Sequence, residues 1–429
     1  MTEPRPDIAP TGHPARVLMV AAACNPYKGS DSKVGWGRVQ EAAKYFDTWV
    51  ICGAWDQDDI CRHQQKHGHN PRLHFLFVEE GRLGRLLRLR TPLFSYTNLL
   101  SYHLWQRRAY QIATKLHGQM RFALTHQVTL TGYRQPGYLW KLDAPFVWGP
   151  VGGTQNFPPR FFAAAGLRGA VLEGFRSLAN WLQLRFSPSV RRAARKAAIL
   201  LAANSRVQGD FQRVHRLKAE VLPDVGLFHI QPAERLAPKP RRPLRLLWSG
   251  AFKHHKALPL LLQALPHLPA EFHYELRILG KGPLGRRWQK LAKRLGVAEN
   301  CRWLGWLPYE EALKLYEWAD IFVFTSLRDT LGSVVLEALS FGVPVICLDH
   351  QGAGEVVTED CGIKIPVTTP TKAIRGFRDA IVALATDPEK INALSRGALK
   401  RAEQYRWSRN GEQLARYYSA AWRLAGRRF

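Results

Sequence analysis

Short runs of consecutive apolar residues alternate along this chain with longer stretches of helical periodicity. In the first half the runs are RVLMVAA (16–22), TWVICG (48–53), LHFLFV (73–78), RFALTH (121–126), PFVWG (145–149) and AILLAAN (198–204). In the second half they are LRLLWSG (244–250), YELRILG (274–280), IFVFTS (321–326), PVICLD (344–349) and GIKI (362–365). Near-continuous apolar runs, rather than strict alternation, mark parallel strands covered by helices on both faces. Strands and helices in this order predict βαβ units wound into parallel sheets. The alternation occurs twice, and the break between is a proline-rich, charged segment, HIQPAERLAPKPRRP (229–243), with the composition of a linker. The pattern therefore predicts an α/β protein with two doubly wound parallel-sheet domains, residues 1–228 and 244–407. A long helical stretch follows Pro366, and its last part, about 408–429, is expected to pack back on the first domain. Two such sheets facing each other across a cleft would present the carboxyl ends of their strands to it, where ligands of these sheets bind.

Composition adds one unusual feature. Of 429 residues, 46% are hydrophobic and 22% charged, which is ordinary for a globular protein and excludes disorder. Lys and Arg, however, number 62 against 34 Asp and Glu, a formal charge of +28. Such a field favours polyanions: nucleic acid, an anionic membrane or phosphorylated substrates. Signatures of RNA-recognition domains, zinc-finger spacings and basic low-complexity tails are missing, so nucleic acid is not the expected partner. None of the six cysteines forms a C-x-x-C pair, and several lie in apolar runs, as buried, reduced residues of a cytosolic protein do. The first residues, MTEPRPDIAPTGHPAR, are polar and lack an apolar signal core. No apolar run approaches the roughly 18–20 residues that span a bilayer. The expected location is cytoplasmic, peripheral on the inner face of the membrane.

Candidate chemistry concentrates in IFVFTSLRDTLGSVVLEALSFGVPVICLD (321–349). A strand ends near Ser326, a loop carries Arg328, Asp329, Thr330 and Leu331, and a helix begins near Gly332 and carries Glu337. Glycine at position 332 permits close approach of a ligand to the backbone. The free N–H groups around Gly332, Ser333 and Val334 form a seat for an anion such as a diphosphate. Asp329 before the helix and Glu337 two turns inside it can accept hydrogen bonds from the hydroxyls of a sugar and of a ribose. Read alone, Asp329 is first a helix-start residue and Glu337 a structural partner.

The segment resembles the D/E-x7-E signature of retaining glycosyltransferases of family four, which share the GT-B architecture of two Rossmann-like lobes; RDTLGSVVLEAL is similar to the variant with Asp at the first position. LLWSGAFKHHKALPLLLQAL (246–265), LRILGKGP (276–283), RWLGWLP (302–308) and QGAGEVV (351–357) resemble further family segments in family order. GSDSKVGWGRV (29–39), THQVTL (125–130), APFVWGPVGGTQNFP (144–158) and VLPDVGL (221–227) resemble a bacterial branch that makes polysaccharides and glycolipids. The resemblance implies a hexosyltransferase taking its sugar from a nucleotide-sugar, UDP by family frequency with GDP as the alternative, and passing it to a lipid-linked or glycan acceptor. It implies no cofactor and no metal.

Residue by residue, it gives Lys256, in the loop that begins at Gly250, the diphosphate; the arginine usual in that loop is replaced by Ala251, and Lys253 and Arg328 are the two candidates to compensate. It gives Glu337 the donor ribose and Asp329 the donor sugar. His126, read at a strand end, resembles the family histidine near the transferred sugar, although a lone histidine is more often structural. Gly35, after the first strand, resembles the glycine of a loop facing acceptor and donor phosphates, and Gly152 and Gly153 form a second such loop. Asp31 matches an acidic position of unassigned role. Gly352 and Gly354 either wrap the donor or form a plain turn, and Glu355 is a cap or a contact. Attack is implied from the front face, the donor phosphate helping to remove the acceptor proton.

Two basic amphipathic segments complete the reading. GRLGRLLRLRTPLF (81–94) places Arg82, Arg85 and Arg88 at three-residue spacing, with Leu83, Leu86 and Leu87 on another helical face; LRGAVLEGFRSLANWLQLRF (167–186) precedes Arg191, Arg192, Arg195 and Lys196. Such helices either lie on anionic lipid or turn their apolar face to a core. The alternatives to a transferase are a non-catalytic protein of the same fold, favoured by Ala251, and a nucleic-acid or membrane binder, favoured by charge alone.

Overall fold

A computed structural model describes residues 14–29, 31–83, 94–235 and 243–426, with the backbone alone at 94–99 and 425. Arg85, Leu86, Leu87 and Arg88 of the first basic segment, and residues 236–242 of the linker, lie outside these. The chain divides into two compact units.

The first unit contains the residues up to Thr154, Leu182–Gly226 and the chain from Trp407. Its strands are β1 (Arg16–Ala21), β2 (Asp47–Gly53), β3 (Leu73–Val78), β4 (Leu124–Thr129), β5 (Phe146–Val151), β6 (Ala197–Ala202) and β7 (Glu220–Val221), in the order β3-β2-β1-β4-β5-β6-β7. The second unit contains Gln155–Trp181 and Leu227–Arg406. Its strands are β8 (Leu244–Ser249), β9 (Tyr274–Leu279), β10 (Cys301–Gly305), β11 (Ile321–Phe324), β12 (Val345–Asp349) and β13 (Gly362–Pro366), in the order β10-β9-β8-β11-β12-β13. All ladders in both sheets are parallel. Helices cover both faces of the central strands, so all six residues of β4 and of β5 are buried, the polar Thr125, His126, Gln127 and Thr129 of β4 included.

Each order reverses once, between β1 and β4 in the first sheet and between β8 and β11 in the second. Loops leaving the carboxyl ends of two strands at such a reversal diverge to opposite sides and leave a crevice for ligand.

Residues 155–181, which the sequence reading put in the first domain, cluster with the second unit. The cause is local packing. Phe157 and Phe161 are buried in the same apolar cluster as Leu246, Trp248, Val323 and Ile346. The short strands β7 and β10 were also missed from sequence, because neither has a long apolar run.

Candidate functional site

The crevice of the second sheet collects most of the sequence candidates. The loop after β8 carries Gly250, Ala251, Lys253 and Lys256, and the loop after β11 carries Arg328 to Leu331. The two loops are stitched together by backbone and buried hydroxyl bonds. Trp248 donates its indole N–H to Thr325 Oγ1 (2.9 Å), which donates on to the Lys256 carbonyl (2.6 Å). The Leu327 amide donates to the His255 carbonyl (2.7 Å). Lys256 and Asp329 thereby meet as an ion pair. Burial disfavours charge on Asp329, but the Lys256 ammonium and its hydrogen bond prevail and hold the carboxyl below its ordinary range. Lys253 and Ala251, by contrast, are exposed.

Arg328 does not project freely. Its Nε and one Nη donate to the two oxygens of Glu173 (3.2 Å each), and that Nη lies 3.2 Å from His255 Nδ1. This is a bidentate fork, which fixes the plane of the guanidinium. Burial works against charge on Glu173, yet the neighbouring His255 and the charge and hydrogen bonds of Arg328 draw its pKa down to about 2. His255 is pushed down to about 4, first by burial and then by the Arg328 and Lys256 charges, although Glu173 opposes this; its ring is neutral at pH 7. Sequence reasoning missed both Glu173 and His255 as site residues. Glu173 is remote in the chain and looks like an ordinary helix-surface acid.

Behind this cluster the helix Ser333–Ser340 starts from Gly332, whose φ of 79° is a left-handed conformation that suits glycine. No side chain caps the helix, so its first-turn N–H groups keep their anion-binding capacity. Glu337, on its second turn, accepts a bond from the Tyr316 hydroxyl (3.1 Å). Burial and the Glu337 charge push the Tyr316 and Tyr309 phenols far up, so both stay hydroxyl donors. Thr330 and Leu331 lie against the helix Gln351–Val356: a Cβ on Gly352 would sit 1.7 Å from the Thr330 carbonyl oxygen. Gly352 is thus a packing glycine for the loop. Gly354 packs likewise on Asp349, where a Cβ would come within 2.7 Å of Oδ1. The Gln351 side chain accepts from the Asp329 amide (2.8 Å) and ties the loop a second time. The Glu355 carbonyl accepts from Arg401 (2.8 Å).

The first unit revises two expectations. β4 spans Leu124–Thr129, three residues later than the apolar run suggested, because the helix Phe94–Met120 runs up to it and Arg121 turns the chain at a φ of 51°. His126 is therefore mid-strand and buried, not at a strand end. Its Nε2 donates to the Gly149 carbonyl (2.6 Å) and its Nδ1 takes the Tyr418 hydroxyl of the C-terminal helix Trp407–Gly426. Burial pushes its pKa from 6.5 to about 3. A ring with both nitrogens engaged in the core serves packing and is not available to a transferred sugar. Gly35 is likewise inside the helix Asp31–Ala43 rather than in a loop; a Cβ there would lie 2.0 Å from the Ala23 carbonyl oxygen, so it permits the helix to approach the end of β1. Asp31, at the start of that helix, accepts from Thr131 Oγ1 (3.1 Å) across the β1–β4 reversal, and burial raises its pKa. Gly152 joins the same edge, its amide donating to the Thr131 carbonyl (2.7 Å), and Gly153 turns the chain there at a φ of 84°.

Residues 233–401 match the family described as glycosyl transferases group 1. A D-inositol 3-phosphate glycosyltransferase from Streptomyces bingchenggensis is 30% identical over 250 residues, covering 53% of this chain and 54% of that protein. The chain spans about half the length of the curated relatives it matches. Among solved structures, a sucrose-phosphate synthase from Thermosynechococcus elongatus superposes with a TM-score of 0.67 at 16% identity, over 94% of this chain and 98% of that one. Alr3699/HepE from Anabaena, solved in complex with UDP, superposes with a TM-score of 0.59 at 16% identity, over 94% and 99%. The fold is thus GT-B, two parallel-sheet α/β domains, and residues 233–401 are similar to the glycosyl transferases group 1 family.

Proposed function

We propose that the chain is a metal-independent, retaining glycosyltransferase. It takes a sugar from a nucleotide-sugar donor seated on the second unit and passes it to a lipid-linked or glycan acceptor at an anionic membrane surface. The observation that carries this reading is the convergence, at one topological reversal, of Lys256, Arg328, Asp329 and an uncapped helix N-terminus, with Glu337 one turn further in. UDP is the proposed nucleotide, supported by the UDP held by Alr3699/HepE. The charge of +28 and the inositol-phosphate relatives both fit an anionic acceptor or surface.

In this reading the donor parts the Lys256–Asp329 pair. The diphosphate takes the ammonium and the helix N–H groups, and a sugar hydroxyl takes the carboxylate. Negative charge grows on the diphosphate as the glycosidic bond breaks, and fixed positive groups aimed at it supply the largest share of stabilisation. Arg328, in place of the arginine lost at Ala251, contributes from the neighbouring loop, its plane set by Glu173. Glu337, which accepts from Tyr316, is the carboxylate proposed to meet the ribose. The acceptor attacks from the face the diphosphate leaves, and the phosphate accepts its proton.

The test is a thermal-shift panel of UDP, GDP and ADP on wild type and Glu337→Ala. Ligand that binds the folded state alone raises Tm by mass action. UDP is expected to raise the Tm of wild type and not that of the variant. No shift with any nucleotide would overturn the donor-site reading.

A further inference from the structure

The helix Gly166–Phe186 is turned inside out. At 3.6 residues per turn, Leu167, Val171, Phe175, Leu178, Leu182 and Phe186 fall within an arc of roughly 100°. All of these are exposed, Leu167 by 86%, Phe175 by 60% and Phe186 by 62%, with Trp181 beside them at 50%. The opposite stripe is packed against protein, and it is mostly small or polar: Gly169, Glu173 and Asn180, the last two 7% and 2% exposed. A helix that merely served a core would show the reverse. Its rotation is fixed from within. Glu173 is held bidentately by Arg328, Asn180 donates to Asn156 Oδ1 (2.8 Å), and a Cβ at Gly169 would meet His254 at 2.5 Å. The apolar stripe consequently cannot roll inward without breaking a buried ion pair.

We propose that this exposed stripe docks the protein on an anionic lipid bilayer. Contiguous exposed apolar ridges of this length mark interaction surfaces. The charge around this one selects the partner. Arg168 and Arg185 border the stripe and are exposed, and the following helix, Pro188–Lys196, exposes Arg191, Arg192, Arg195 and Lys196. Apolar side chains entering the acyl boundary with cations at headgroup level are what an interfacial helix requires. A second copy of this chain, itself carrying +28, would bring like charges together at the same edge. The inference rests on the membrane-surface part of the reading above and names the element responsible; the donor site is a separate matter.

The experiment is co-sedimentation of the full chain with vesicles of phosphatidylcholine containing about 30% phosphatidylglycerol, at about 50 mM and about 500 mM salt. UDP thermal shifts are read on the same samples. Wild type is expected to sediment at low salt and to be released at high salt. Phe175→Asp combined with Leu178→Asp is expected to lower the bound fraction roughly tenfold, with the UDP shift retained because neither side chain belongs to the donor loops. A double variant that sediments like wild type would overturn the assignment, as would wild type that ignores the vesicles at low salt. Light scattering that shows a dimer abolished by the double variant, without vesicle binding, would assign the stripe to a second copy. Loss of the UDP shift in wild type with vesicle binding intact would sink the donor reading and leave this one standing.

Discussion

Arg328 shows how much of a side chain's capacity is set by residues that sequence spacing does not reveal. Its position in the loop before Gly332 was readable as a candidate for diphosphate; its bidentate partner Glu173, 155 residues earlier, was not. Glu173→Gln leaves one side of that fork weakened and Arg328 unaimed. Donor KM is expected to rise about tenfold with kcat less affected, since a charge-assisted hydrogen bond is worth roughly 1.5–3 kcal/mol. An unchanged KM in steady-state kinetics would contradict the positioning role. His126 was misread for the opposite reason: its local pattern placed it at a strand end, and only the start of β4 puts it in the core. The unfolded chain titrates this ring near 6.5 and the folded chain near 3, so the unfolded state binds the extra proton between those values. Stability is therefore present at neutral pH and falls as pH drops through that window, by about 1.4 kcal/mol per unit. His126→Gln should flatten the pH dependence of melting between pH 6.5 and 5, and an unchanged slope would show that the ring is not the titrating group.

At the scale of elements, the parallel strands were legible because burial on both faces leaves a continuous apolar run, and the donor loop because glycine, acid and helix start fall at fixed spacing. Orientation was not legible. The periodicity of Gly166–Phe186 defines two faces without saying which is packed, and that choice rests on Arg328, Asn156 and His254 in other segments. The glycines divide in the same way. Gly352 is needed because the helix Gln351–Val356 touches the Thr330 carbonyl. Gly352→Ala is expected to displace the donor loop, weakening UDP binding at least tenfold by calorimetry while the protein still folds; such overpacking commonly costs 1–3 kcal/mol. Unaltered affinity would show that the loop yields without consequence.

At the scale of the whole molecule, each unit closes its own apolar clusters, one around Trp248 and Val323, the others around Trp148 and Tyr418. Units with separate cores are expected to melt in separate calorimetric transitions, with UDP raising the one that belongs to the second unit. A single transition, or a shift of both, would contradict this division. Among the described residues no helix is long and apolar enough to cross a membrane; the proposed membrane contact rests on the exposed surface helix and the charge of +28. The decisive measurement is turnover: release of nucleoside diphosphate from the nucleotide-sugar that stabilises the protein, with a membrane lipid extract as acceptor source, for wild type and Lys256→Ala. Wild type is expected to release it and the variant to do so about 100-fold more slowly, the loss that follows removal of one positive group at a leaving diphosphate. Equal rates for both, or binding without release, would show that the donor site does not perform the transfer.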